Sequence, residues 1–278
     1  MKKLTIALLS GGISSEREVS LNSGNQVFEA LDMEKYDVIR YDPKTDLQKL
    51  VADAERIDAA LIILHGPYGE DGTVQGLLDL LDIPYQGSGV LGSAVAMNKL
   101  VAKQLYSQAG IPIPPYLVLN REDSLNTADV VARLGSSLVI KPVVGGSSVG
   151  MSIIKSEDLL QDAVETALKY DRAVLIESFI DGLELTGGVI GNDHPEALPL
   201  IEIVPGENFD FFDYEAKYTP GATQEICPAR IDDALTAKAQ TYAVAAHQAL
   251  ICKGYSLSLI HISEPTRPVG ISRMPSSA

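Results

Sequence analysis

The N-terminal part of the chain alternates short apolar runs with amphipathic segments, and this alternation constrains the fold more than any other feature. The apolar runs, which have the length of strands, lie at Leu4–Leu9, 38–41 and 59–64. The amphipathic segments that follow them, with helical spacing, lie at 15–31, 46–54 and 72–82. Strands that alternate with helices predict a parallel sheet with right-handed crossovers. We therefore expect an α/β domain over residues 1–110.

Two turns follow predicted strands of this sheet. Gly11-Gly12 ends the first strand, and Ser15-Glu16-Arg17-Glu18 fits a capping box with Ser15 as the N-cap. His65-Gly66 ends the third strand. Ligands of parallel sheets lie beyond the carboxyl ends of the strands, which makes four polar residues candidates for substrate contacts. These are Glu16, Ser20, His65 and Glu70. Structural roles remain alternatives for two of them. The carboxylate of Glu16 could simply stabilise the helix dipole in the first turn, and His65 could be a packed imidazole with its hydrogen bonds satisfied.

A loop rich in glycine and serine, at residues 141–151, lies between apolar runs at 138–140 and 151–154. Two such runs predict a strand, a loop and a strand. Small residues let backbone N–H groups approach an anion, and Lys141 adds a point charge, so the loop suits a triphosphate. It matches neither the Walker A loop nor the dinucleotide-binding fingerprint. The alternative is a flexible hairpin with a solvated lysine.

A helix is predicted over residues 93–109, and a proline-rich stretch at 111–115 is typical of a linker into a new domain. Lys99 and Lys103 lie four residues apart on this helix and share a face. Such a pair usually marks a solvated face.

Residues 111–255 mix strands and helices without strict alternation, which predicts an α+β region. We divide it into a central subdomain at 111–183 and a C-terminal subdomain at 184–255. The polar and aromatic segment at 205–221 is long enough to be a lid. The alternative is a mobile surface loop.

Composition and charge narrow the functional class. The chain is 46% hydrophobic and 21% charged, as in a globular enzyme. A net charge of −15 argues against nucleic acid and against anionic membrane surfaces as partners. Cys227 and Cys252 lack the spacing of a metal site or a redox pair. No apolar stretch has the length of a bilayer span, and the run at Leu4–Leu9 is too short for a signal peptide. We expect a cytoplasmic protein.

The segment at 256–278 differs from the rest of the chain. It contains three prolines, and we find in it no sustained period and a weakly polar end. We expect it to be unrelated to the fold. Our hypothesis is that it is a non-native tail, produced by a frameshift, a truncated gene or read-through into cloning sequence.

Six motifs together resemble the D-alanine–D-alanine ligase family over about residues 3–255. They are Gly-Gly-x-Ser-x-Glu-Arg-Glu-Val-Ser-Leu at 11–21, Leu-His-Gly-x-x-Gly-Glu-Asp-Gly at 64–72, Gly-Ser-Gly-Val at 87–90, Met-Asn-Lys at 97–99, Lys-Pro at 141–142 with Gly-Ser-Ser-Val-Gly-Met at 146–151, and Asp-Tyr-Glu-Ala-Lys-Tyr at 213–218. They are specific in combination and occur in the family's order.

The resemblance implies an ATP-grasp fold preceded by an N-terminal substrate domain. It implies that two D-alanines are joined into the dipeptide used for peptidoglycan. ATP would phosphorylate the carboxylate of the first D-alanine, and the amine of the second would attack that acyl phosphate. Two Mg²⁺ ions (or Mn²⁺) would neutralise the transferring phosphoryl group. The family is typically homodimeric, and its partners here would be the small molecules D-alanine and ATP.

The resemblance also implies roles for individual residues. Glu16 would hold the ammonium of the first substrate, and Ser147 and Tyr218 would form with it a hydrogen-bonded set that closes the site. His65 would lie near the first substrate's carboxylate. The residues expected to contact ATP are Lys99, Lys141, Ser148, Glu177, Ser178, Phe179, Ile180, Glu184 and Lys217. In the family, a tyrosine at the position of Tyr218 accompanies the dipeptide product rather than D-alanyl-D-lactate.

The chain departs from the family after Tyr255. The family continues there with an arginine, an aspartate, a Glu-x-Asn and a glycine-rich segment, which supply an oxyanion-stabilising group and the metal carboxylates. This chain has none of them, and Glu264 beside Pro265 lies outside such a pattern. No metal ligand is therefore assigned, and the C-terminal subdomain is expected to be incomplete. We expect the chain as written to be weakly active or inactive.

Two other functions remain alternatives. The chain could be another ATP-grasp carboxylate–amine ligase, which the motifs at 16–20 and 214–218 disfavour. It could also be a non-catalytic nucleotide-binding module, which the missing metal ligands favour.

Overall fold

A computed structural model of the protein describes residues 2–206, 223–263 and 267–273. Two predictions fall largely or wholly outside the described residues. One is the lid with Lys217 and Tyr218, and the other concerns Glu264.

The N-terminal domain is built on a parallel sheet, as predicted. Its strands are β1 (Leu4–Leu9), β2 (Tyr36–Tyr41) and β3 (Ala59–Ile62). They run parallel in the order β2-β1-β3, so β1 is central. The helices are α1 (Arg17–Ala30), α2 (Leu47–Ala52) and α3 (Thr73–Leu80). Apolar side chains from the strands and from α3 form one buried cluster, which explains the near-continuous apolar runs in the sequence.

The predicted capping box at Ser15 is wrong. Helix α1 begins at Arg17, its N-cap is Glu16, and the Glu16 side chain makes no capping hydrogen bond. The hydroxyl of Ser14 instead accepts a hydrogen bond from the Glu16 amide at 3.2 Å. The Glu16 carboxylate is occupied elsewhere, by Ser147.

The helix predicted over 93–109 is two helices, α4 (Val90–Met97) and α5 (Lys99–Gln108). Asn98 separates them in an extended conformation, and its side chain caps α5 by accepting hydrogen bonds from the amides of Leu100 and Val101. The solvated face predicted for the two lysines is also wrong, because Lys99 is 9% exposed and Lys103 only 1%.

The central subdomain contains an antiparallel sheet of β4 (Tyr116–Asn120), β5 (Leu138–Pro142), β6 (Ser152–Ile154) and β7 (Ala173–Ser178), in the order β4-β7-β5-β6. Helices α6 (Thr127–Leu134) and α7 (Leu160–Ala167) contribute to its buried core. The pairing of β5 with β6 confirms the predicted strand, loop and strand around residues 141–151.

A six-stranded sheet forms the rest of the fold. Its strands are β8 (Leu183–Ile190), β9 (Glu196–Ala197), β10 (Ile201–Pro205), β11 (Thr223–Ile226), β12 (Tyr255–Ser263) and β13 (Arg267–Arg273). The order is β11-β10-β8-β12-β13, with β9 paired to β8. Helix α8 (Asp233–Ala249) packs on this sheet through its buried alanines at 239, 243 and 246. Within the described residues, no helix combines the length and apolarity needed to cross a membrane.

The prediction that the segment after Tyr255 is unrelated to the fold is wrong for residues 256–263, and also for residues 267–273, which form β13 and pair antiparallel with β12. Strand β12 pairs antiparallel with β8, from Tyr255 opposite Ile190 to Ile262 opposite Leu183. Its side chains alternate, with Ser256, Ser258, Ile260 and Ile262 buried and the intervening ones less so. The amino-acid types do not follow this alternation, because serines occupy the buried face at 256 and 258 and leucines lie on the other face at 257 and 259. The origin of the segment stays a prediction.

Candidate active site

A central cleft, partly open to solvent, lies between the two antiparallel sheets. Strands β5, β7, β8 and β12 and the loop at 143–151 contribute to its walls. Eight of the nine residues predicted to contact ATP line it: Lys99, Lys141, Ser148, Glu177, Ser178, Phe179, Ile180 and Glu184. The ninth, Lys217, lies outside the described residues. The fold thus brings together residues that are far apart in the sequence.

Glu177 is the buried acid of the cleft wall. Its Oε1 forms ion pairs with the ammonium groups of Lys141 at 2.9 Å and Lys103 at 3.1 Å. Burial raises the pKa of Glu177, but the two lysines outweigh it and hold the pKa below its ordinary value. Glu177 is therefore ionised, and its charge is paired with both lysines. Lys103 was not among the residues that the sequence predicted for this site.

Lys99 connects α5 to the loop of the cleft. Its ammonium donates hydrogen bonds to the carbonyl oxygens of Pro142 at 3.0 Å and Gly145 at 2.9 Å. The backbone amide of Lys99 also donates to the carbonyl of Val143 at 2.9 Å. These contacts fix the start of the loop and keep a positive charge at the cleft.

The loop at 143–151 has an unusual backbone. Ser147 and Ser148 have φ values of 47° and 58°, and L-residues other than glycine rarely occupy this left-handed region. Gly150 has a φ of 71°, and a β-carbon there would lie 2.5 Å from the Tyr170 ring, so only glycine fits. Strained backbone of this kind clusters at functional sites, and turns of this type direct N–H groups at anions.

A hydrogen bond joins this loop to the N-terminal domain. The hydroxyl of Ser147 donates to the carboxylate of Glu16, and both side chains are buried. Gly66 lies against the same carboxylate, where a β-carbon would be 2.6 Å from Glu16 Oε1. Ser14 donates to the carbonyl of His65 at 2.7 Å, which ties the two turns together. Glu16 thus lies beside the turns that follow β1 and β3.

The other candidates of the N-terminal domain have different surroundings. His65 lines a second, mostly apolar cleft of about 620 Å³ at the same end of the sheet. Ser20 accepts a hydrogen bond from the Gly11 amide at 2.8 Å and donates to the carbonyl of Ile63. The carboxylate of Glu70 accepts from the Gly66 amide at 2.6 Å. Ser20 and Glu70 therefore help to hold the turns in place.

An ion pair supports the glycine turn before α1. The Oδ1 of Asp42 accepts a hydrogen bond from the Gly12 amide at 2.9 Å, and its Oδ2 pairs with Arg17 at 2.6 Å. Burial raises the pKa of Asp42, but Arg17 and the backbone amides lower it by more, so that the net pKa is about 2. A depressed carboxyl pKa contributes stability above its ordinary value near 3.8, and that stability is lost as the pH falls toward 2.

We expect Asp42→Asn to lower the free energy of unfolding by about 1–2 kcal/mol at neutral pH. The difference from wild type should shrink as the pH falls from about 4 toward 2, because the wild-type carboxyl then becomes protonated as well. Urea denaturation at both pH values measures it. Asp37→Asn, at an exposed position of β2, is the matched control. Equal losses in the two variants would contradict the role given to the ion pair.

The described residues do not fit the two Mg²⁺ ions that the resemblance implies. Mg²⁺ needs oxygen ligands, yet the described part of the chain holds no group of three or more His, Cys, Asp or Glu that could bind a metal ion. Strand β12 contributes Leu259 and His261 to the cleft wall. Burial, reinforced by the nearby Lys141, lowers the pKa of His261 to about 4, so it is neutral at physiological pH.

Comparisons with known proteins identify the family of the chain. The family model described as "D-ala D-ala ligase C-terminus" matches residues 105–260, and the model for the N-terminus matches residues 41–88. A D-alanine–D-alanine ligase of Syntrophobacter fumaroxidans is 64% identical over 255 residues, which cover 92% of this chain and 82% of that protein. One from Desulfotalea psychrophila is 52% identical over 256 residues, with 92% and 80% covered.

Solved structures agree as well. The crystal structure of the Bacillus anthracis D-alanine–D-alanine ligase superposes with a TM-score of 0.84 at 35% identity, covering 99% of this chain and 87% of that one. A second structure of that enzyme, complexed with ATP, gives a TM-score of 0.83 at 32% identity, with 98% and 86% covered. The matched family models, the relatives and the shared architecture place this chain in the D-alanine–D-alanine ligase family, ATP-grasp enzymes that serve peptidoglycan synthesis.

Proposed function

We propose that this chain binds ATP in the central cleft and the first D-alanine beside Glu16. The hydrogen bond between Ser147 and Glu16 carries the proposal, because it joins the anion-binding loop to the acid that would hold the amino acid. The two substrates would then meet at the junction of the N-terminal domain and the loop. The Bacillus anthracis enzyme has been crystallised in complex with ATP, which supports the choice of nucleotide.

The residues would act mainly by positioning and by charge. Lys141, Lys99 and the amides near Ser148 would hold the phosphates. The γ-phosphoryl group would pass to the carboxylate of the first D-alanine, giving ADP and an acyl phosphate. The amine of the second D-alanine would attack the carbonyl carbon and expel phosphate. Glu16 would fix the first substrate's ammonium, and Ser147 would orient Glu16. Tyr218 and Lys217 would complete the site from the lid.

We also propose that catalysis requires a divalent metal ion, either Mg²⁺ or Mn²⁺. Because the described residues do not fit two such ions, we propose that the chain as written binds nucleotide but turns over poorly. A nucleotide-binding protein without catalysis is therefore the second candidate. The observation that favours it is the cleft wall formed by Leu259 and His261.

The partners proposed here are small molecules together with a second copy of the chain. A homodimer is the family's usual state, and light scattering after size-exclusion chromatography would test it. We also propose a cytoplasmic location, where ATP is available, and no role for nucleic acid or membrane, because the net charge of −15 disfavours both.

We expect Glu16→Gln to weaken D-alanine binding about 10- to 100-fold, because a charged hydrogen bond to the substrate ammonium is lost. ATP affinity should change less than about twofold. Isothermal titration of each ligand measures both. Glu18→Gln, two residues further along α1 and exposed, is the matched control. If Glu18→Gln weakened D-alanine binding as much as Glu16→Gln, the assignment of Glu16 would be wrong.

A further inference from the structure

Three charged side chains meet on the wall of the central cleft, and one of them has no role in the reaction proposed above. Lys141 and Glu177 line the cleft. Lys103 lies on α5, 1% exposed, and its ammonium forms an ion pair with the same Glu177 oxygen that Lys141 contacts. The ammonium of Lys103 is also 5.5 Å from the centroid of the Tyr116 ring, a cation–π contact.

We propose that Lys103 is a positioning residue for nucleotide binding, which offsets the charge of Glu177 and so leaves Lys141 with an uncompensated positive charge toward the phosphates. The inference rests on the proposed function, since it concerns ATP in this cleft. Two ammonium groups and one carboxylate leave the cluster with one net positive charge. Without Lys103 the remaining pair would be neutral, and its attraction for a polyanion would be weaker.

A purely structural role explains Lys103 poorly. Its neighbours on α5, Ala102 and Tyr106, belong to an apolar core in which a hydrophobic side chain would pack without losing hydration. Burial, together with repulsion from Lys141, lowers the pKa of Lys103 to about 8, so these two effects outweigh the attraction of Glu177. The buried ammonium of Lys103 is more readily explained by its electrostatic effect, which neutralises Glu177 and leaves the charge of Lys141 uncompensated.

ATP and adenosine distinguish a charge effect from a packing effect, because only ATP carries phosphates. We expect Lys103→Met in the full chain to weaken ATP binding about tenfold and adenosine binding less than about twofold. Isothermal titration in EDTA measures both affinities without a contribution from metal ions. Lys238→Met removes an exposed lysine of α8 and controls for net charge. Equal loss of ATP and adenosine, or no loss of either, would overturn the proposal.

A double variant provides a rescue and guards against a folding defect. Lys103→Met with Glu177→Gln leaves Lys141 as the single charge, so the net positive charge is restored. Because Glu177 is itself among the residues expected to contact ATP, the diagnostic quantity is the ratio of ATP affinity to adenosine affinity, which should lie within about threefold of wild type. A double variant as weak for ATP as Lys103→Met alone would contradict the charge argument. A wild-type chain that binds no ATP would instead refute the proposed function itself.

The pH profile gives a second readout. The charged and titratable groups that face Lys103 among the described side chains are Glu177 of β7, Lys141 of β5, Tyr116 of β4 and His261 of β12. Because Lys103 loses its proton near pH 8, the preference of wild type for ATP over adenosine should fall as the pH rises from about 7 to about 9. Lys103→Met should show no such fall. The same fall in both proteins would rule out Lys103 as its source.

Discussion

A chimera that joins residues 1–255 to the C-terminal segment of the Syntrophobacter fumaroxidans relative should release phosphate from ATP in a D-alanine-dependent manner at least about 1,000-fold faster than the chain as written. In the present chain, β12 places Leu259 and His261 at the cleft wall. Neither is a carboxylate. A transferring phosphoryl group needs positive charge around it, and carboxylates hold the ions that supply that charge.

The comparison needs two controls, because a graft could also act by improving stability. The chimera carrying Lys141→Met should remain inactive, which shows that its turnover uses the central cleft. Thermal unfolding of both chains separates stability from catalysis. Turnover by the chain as written at a rate near that of the chimera would show that our account of the metal site is wrong. A folded but inactive chimera would cast doubt on the proposed residues themselves.

Lys141→Met should weaken ATP binding about 100-fold while adenosine binding changes little. Lys141 lines the cleft, as Ser148 and Lys99 do, and is one of the two described lysines of the predicted phosphate site. The variant should remain folded, because Glu177 keeps its ion pair with Lys103 and is not left as an unpaired buried charge. Circular dichroism and isothermal titration check the two parts of this prediction.

The matched control is Lys155→Met, which removes an exposed lysine just after β6. It should bind ATP as wild type does. A loss of ATP binding in both variants would indicate a general effect of net charge. An unfolded Lys141→Met protein would show that Lys103 alone cannot compensate the charge of Glu177. That result would contradict the charge balance proposed for Lys103, Lys141 and Glu177.

Much of the fold could be predicted because its strands carry local signals. The buried parallel strands are near-continuous apolar runs, and the loop at 143–151 is framed by two of them. Strand β12 lacks such a signal, because its buried face begins with two serines, Ser256 and Ser258, and its first two leucines lie on the other face. The break at Asn98 has a local signal, since asparagine is a favoured N-cap, and a distant support, the hydrogen bond from the Lys99 amide to the Val143 carbonyl.

The chemistry of the site was only partly predictable. Glu16 and the ATP-contact residues were predicted from motifs. In the structure, the described ATP-contact residues line the central cleft, and Glu16 is hydrogen-bonded to Ser147 of the loop at 143–151. The burial of Lys103 could not be predicted from its helix, because its partner Glu177 lies on a strand far along the chain. A lysine pair on one helical face usually faces solvent, and only the packed fold reveals the exception.

The position of β12 inside its sheet has a consequence for solubility. With β12 in place, the β8 backbone is paired on both sides, and the outer edge of that side of the sheet is β13. A chain cut before Tyr255 would leave the eight-residue strand β8 with one unpaired edge, which could template intermolecular pairing. Strands β12 and β13 therefore cover the edge of β8 that intermolecular pairing would otherwise reach.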